Sequence, residues 1–119
     1  MSRFNDGLSG QDLHRELQAQ IKLLSKALLS HRRRGQKFAL SRREYQVALA
    51  KEMLLQRNAG LPVTILSDIC KGNEEIADLR MKKDIAESAY KTAAEAIMVY
   101  KINVRILEAE ISREWGQAK

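Results

Sequence analysis

Cysteine occurs once, at Cys70, so no disulfide can staple the fold within one chain. Proline also occurs once, at Pro62, beside six glycines and an aromatic content of 5%. A β-sandwich or barrel needs frequent turn residues and aromatic or β-branched strands, and this composition supplies too few of either. Long uncharged apolar runs are missing as well, since no stretch reaches the roughly 18 residues of a membrane span. The start, residues 1–10, is polar and lacks the apolar run of a signal peptide. With a lone cysteine suited to a reducing compartment, the expectation is a soluble protein of the cytoplasm, with no membrane partner. What the chain does have is 45% hydrophobic residues that recur with a period, which excludes a disordered chain. At 119 residues it is a single domain or a rod.

The period is helical. Residues 1–9 read as a flexible arm with little to bury. Over 11–59, Leu13, Leu17, Ile21, Leu24 and Leu28 recur at intervals of three or four and form one stripe, continued by Phe38, Tyr45, Leu49 and Met53. Gly35 follows a basic turn, and Ser41-Arg42-Arg43-Glu44 has the spacing of a capping box, so a break over 35–41 is one alternative. A continuous helix is the other, because one internal glycine costs only about 1 kcal/mol relative to alanine. Gly60 and Pro62 end this arm, and the apolar stretch 60–73 reads as a short helix folded over the tip, capped by Thr64 or Ser67 and closed by Gly72. Asn73 is an N-cap candidate, with Glu74 and Glu75 in the first turn of the next helix.

Over 74–115, Ile76, Leu79, Lys83, Ala86, Tyr90, Ala93, Ile97, Tyr100, Val104, Leu107 and Ile111 alternate spacings of three and four, the pattern of a coiled-coil seam. A second stripe of Met81, Ile85, Val99, Ile102 and Ile106 lies off that seam and is the candidate oligomer or partner interface. The expected fold is therefore all-α, an elongated, coiled-coil-like antiparallel hairpin of two long helices, with a three-helix arrangement broken near Gly35 as the alternative. Such a thin hairpin buries little by itself, so a homo-oligomer, preferably a dimer, is expected.

Charge is uneven. Residues 1–60 hold 12 Lys/Arg and 5 Asp/Glu, a net +7, and residues 61–119 hold 9 and 10, a net −1. Arg32, Arg33, Arg34, Lys37, Arg42 and Arg43 form a basic collar, the candidate nucleic-acid-binding site, able to meet DNA or RNA phosphates through guanidinium pairs. Phe38 and Tyr45 are interleaved with it, available for base stacking or for the core. A helix-turn-helix over 64–80 is disfavoured, since Glu74, Glu75 and Asp78 would face phosphates.

No catalytic residue, metal site or cofactor is expected. His14 and His31 have no second ligand at metal spacing. Cys70 has only Lys71 as a close cation and no base to activate it. No glycine-rich phosphate loop is present. The carboxylates of the last helix alternate with lysines and arginines, as on a solvated face.

The strings Arg43-Glu44-Tyr45, Gly60-Leu61-Pro62-Val63-Thr64, Ser67-Asp68-Ile69-Cys70-Lys71-Gly72, Ile76-Ala77-Asp78-Leu79 and Arg113-Glu114-Trp115 span about two thirds of the chain. On these, 41–115 resembles small helical proteins, largely of unassigned function, encoded by bacteriophages and prophages of Gram-positive bacteria. The resemblance implies a phage or prophage origin and, as the setting, the cytoplasm of a host bacterial cell, and it carries over no functional residue. Two functions are expected: a non-enzymatic accessory scaffold that binds nucleic acid through the collar, or a protein-interaction module acting as an inhibitor of a host defence protein or as an assembly adaptor. In the second, the off-seam stripe or the 61–72 tip makes the contact.

Overall fold

The computed structural model describes residues 10–117, and the arm expected at 1–9 lies outside them. Three helices follow one another: α1 (Gly10–Asn58), α2 (Val63–Lys71) and α3 (Glu74–Gln117). The described residues contain no strand. The fold is an all-α helical hairpin, organised as two compact units.

The first unit comprises Met1–His31 with Thr92–Lys119. Gly10 faces the Glu114 carboxylate, and further along α1 Gln20 pairs with Asn103, so the two helices run antiparallel. Leu13, Ala93, Ile97 and Leu107 are buried between them. Gln20 is buried as well: its Oε1 accepts from Asn103 Nδ2 at 3.2 Å, and its Nε2 donates to Glu16 Oε1 at 3.2 Å. A satisfied polar pair in an apolar seam favours one register over its slipped neighbours. The stripe expected on α1 is narrower than its spacing suggests. Ile21 and Leu28 remain 45% and 48% exposed, because a helix with one neighbour buries only the strip that faces it.

The second unit is Arg32–Lys91. Here α1 passes through 35–41 without interruption, which decides for the continuous helix over the alternative of a break. Ser41 is buried in mid-helix and caps nothing, and Glu44 pairs with Lys82 across the hairpin at 3.3 Å. Gly35 has a packing role instead of a terminating one. A Cβ at this position would stand 3.0 Å from Tyr90 Cε1 on α3, inside van der Waals contact. Replacing Gly35 by Ala should therefore forfeit most of the roughly 1 kcal/mol of helix propensity it would gain at an open site. In a Tyr90→Ala background the gain should return, and urea melts of the four proteins in that cycle measure the difference.

Lys83, the polar member of the expected seam, is half-buried. Its ammonium lies 5.3 Å from the Tyr45 ring centroid and 3.0 Å from Asp84 Oδ1. The stem packs inward while the charge keeps a partner. The tip shows three distinct terminators. Gly60 adopts φ +98°, a left-handed conformation that suits glycine. Pro62 occupies the N-cap of α2 in an extended conformation with no side-chain cap, so neither Thr64 nor Ser67 serves as the cap. Gly72 ends α2 in the ordinary right-handed region, its N–H donating to Asp68 O at 3.1 Å. Asn73 opens α3, its Oδ1 accepting from the N–H groups of Glu75 and Ile76 at 3.0 and 3.3 Å. Leu66 and Cys70 turn inward from α2, joining Ile76 and Tyr45 in the buried set of this unit.

Candidate nucleic-acid interface

The continuity of α1 decides what the collar looks like. Successive residues turn by 100° about a helix axis, so Arg32 and Arg43, eleven residues apart, return to nearly the same face. Arg33 and Lys37, four apart, share a second row. Tyr45, Ser41 and Phe38 lie on the side toward α3; Arg32 and Arg43 point away from them, while Arg33 and Lys37 lie on the flank, Lys37 one turn before Ser41. All six collar residues are exposed.

Two of the six are held from within the fold. Arg34 Nη1 donates to the Ala89 carbonyl of α3 at 3.2 Å. The Arg42 guanidinium lies 5.4 Å from the Phe38 ring centroid, in cation–π range. Among the described residues, none of the six enters an ion pair. Two of the α3 carboxylates in this unit pair elsewhere, Asp84 with Lys83 at 3.0 Å and Glu87 with Lys91 at 3.4 Å. The sequence also contains no Asp or Glu from Leu17 to Arg43, a stretch that adds Lys22 and Lys26 to the cations. That acid-free interval is a stronger signal than the arginine cluster alone. It was legible in the chain, and periodicity and motif spacing both pass over it.

The aromatic residues of the region lie between the helices, Tyr45 buried and Phe38 half-buried. Phe38 and Tyr90 pack with ring centroids 5.9 Å apart, and Tyr45 is buried beneath Lys83.

The off-seam stripe is outward-facing in both units. Met81 and Ile85 in the second unit are exposed, as are Val99, Ile102 and Ile106 in the first. Leu54, Leu55, Val63, Ile65 and Ile69 add exposed apolar area around the tip. Among the described residues nine hydrophobic side chains are buried and eighteen large ones are exposed, so the hairpin leaves considerable apolar surface in water.

Among the described residues, no three His, Cys, Asp or Glu side chains are placed to hold a metal ion. His14 lies in an open groove with Arg15, Gln18, Ile111, Glu114 and Trp115, its Nε2 3.2 Å from Gln18 Nε2. Cys70 is 1% exposed. Burial, and secondarily the nearby Glu52 carboxylate, pushes its thiol above the ordinary range. The folded protein therefore favours the neutral thiol. Any stability this supplies is complete below the ordinary thiol pKa and is lost as pH climbs through the raised folded value. Native Cys70 should resist iodoacetamide at about pH 8, whereas the urea-unfolded chain should be alkylated readily, as mass spectrometry would show.

No family model matches the chain, and searches of curated proteins and of solved structures return no match. No helix among the described residues is long and apolar enough to cross a membrane.

Proposed function

We propose that this protein is a non-enzymatic, self-associating helical scaffold that binds nucleic acid through Arg32, Arg33, Arg34, Lys37, Arg42 and Arg43. Its setting is the bacteriophage accessory role implied by the resemblance noted above. The observation that carries the reading is a set of exposed cations with no ion pair among the described residues, in a stretch without a carboxylate. Cations held by carboxylates are already neutralised, whereas unpaired guanidinium groups release counterions from a phosphate backbone on binding. Fluorescence anisotropy with labelled DNA and RNA at low salt tests it. Dissociation constants in the micromolar range or below are expected, on the order of those of other non-specific binders. No detectable binding to either would end this reading.

Self-association rests on the outward stripe. Val99, Ile102 and Ile106 stand on one face of α3 at spacings of three and four, all exposed. Pairing that face with a second copy would bury apolar surface that the hairpin leaves in water. Sedimentation should show a dimer, and replacing Ile102 and Ile106 by Glu should give a monomer with its helicity kept. A wild-type protein that sediments as a monomer at high concentration would refute the dimer.

A second reading is favoured by the tip, where Leu54, Leu55, Val63 and Ile69 are all more than half exposed. Exposed apolar groups at a helical tip suit contact with another protein, such as a host defence factor or an assembly component. Capture of a partner from nuclease-treated lysate, abolished by Val63→Asp and Ile69→Asp, would favour this reading over the first.

A further inference from the structure

We infer that the dimer forms by antiparallel pairing of two copies of α3, in a register that sets Glu95 of each copy opposite the partner's Arg113. This deepens the self-association proposed above and rests on it. Within the first unit, Glu95, Val99, Ile102, Ile106, Ala109 and Arg113 are all exposed and alternate spacings of four and three. That spacing puts them in one seam of α3, on the side away from Ala93, Ile97 and Leu107, which are buried against α1. The seam is apolar at its four middle positions, acidic at its first and basic at its last.

Charge decides the direction. A parallel pair would set each position against its own copy, Glu95 against the partner's Glu95 and Arg113 against the partner's Arg113, and like charges facing across an interface oppose association. Reversing one helix sets Ile102 against the partner's Ile106, Val99 against the partner's Ala109 and Glu95 against the partner's Arg113. Opposite charges then meet at both ends, and the two-fold contact closes at two chains. Register follows from the same pairs. A slip of one heptad would set Glu95 against the partner's Ile106 in one direction, or Arg113 against the partner's Ile102 in the other, and either leaves a charge on an apolar layer. Both charges are available for the pairing. Among the described residues Glu95 enters no ion pair. The Arg113 bond to Glu110 engages one nitrogen of a side chain that stays exposed.

Sedimentation of the full chain and its variants tests the charge pair, and disulfide trapping tests the direction. Glu95→Arg and Arg113→Glu should each raise the dimer dissociation constant at least about tenfold, since like charges then meet at both ends. The two together should bring it back to within about threefold of the parent, as opposite charges meet again. Val99→Cys and Ala109→Cys, each alone, should give no disulfide-linked dimer on oxidation, because the two copies of either position stand about 15 Å apart along the axis. The chain carrying both should link to its partner. Native Cys70, 1% exposed, is buried away from the reaction. A dimer that links through either new cysteine alone, that fails to link with both, or that does not recover in the charge exchange would overturn the inference and leave self-association standing. A parent chain that sediments as a monomer at high concentration would overturn both and leave this face to a different partner.

Discussion

Replacing Leu107 by Ala is expected to lower the unfolding free energy by about 3 kcal/mol, within the range for large-to-small changes in a core. Leu107 is fully buried on α3, and it is among the few large apolar side chains that the first unit buries. Its loss removes the transfer energy of the side chain and leaves a cavity that two helices can close only by shifting. A protein of this size has about 5–15 kcal/mol of stability in total, so the change is a substantial share. Urea denaturation followed by circular dichroism measures it. Leu107→Met keeps the volume and should cost less than about 1.5 kcal/mol. If both variants melt like the parent, Leu107 does not sit in the core.

Changing Arg32, Arg33 and Arg34 together to Ala should weaken duplex binding on the order of a hundredfold at moderate salt. It should also flatten the salt dependence, by about one unit of slope for each phosphate contact removed. Arg32 and Arg33 are exposed, and Arg34 bonds to the Ala89 carbonyl with its guanidinium exposed. The fold should survive, because alanine is the strongest helix former and exposed positions tolerate substitution to within about 0.5 kcal/mol. Retained helicity with lost affinity is therefore the expected pair of results. A triple variant that binds as the parent does, with the same slope, would remove the collar from the interface.

The seam of α3 was readable from spacing alone. Every position from Ile76 to Ile111 in that pattern is buried or half-buried, including Lys83. The reason is physical: a spacing of three and four is what places side chains on one helical face, whatever lies opposite. Features that depend on the opposite helix were not readable. Gly35 looks like a helix terminator in isolation, and its reason, the Tyr90 ring, lies 55 residues further along the chain. Ser41 and Glu44 match a capping box by spacing, yet one is buried in the seam and the other pairs with Lys82. Gln20 and Asn103 are polar and therefore invisible to an apolar pattern, although each supplies half of a cross-helix hydrogen bond. For the collar, the residues and their charge were legible. The contacts of Arg34 with Ala89 and of Phe38 with Tyr90 were not.

The salt dependence of duplex binding by the unaltered protein tests the collar most directly. With Arg32, Arg33, Lys37 and Arg43 exposed and each meeting a phosphate, the logarithm of the association constant should fall linearly with the logarithm of salt concentration, with a slope of about −4. Binding that ignores salt, or no binding at low salt, would contradict a phosphate-contacting collar.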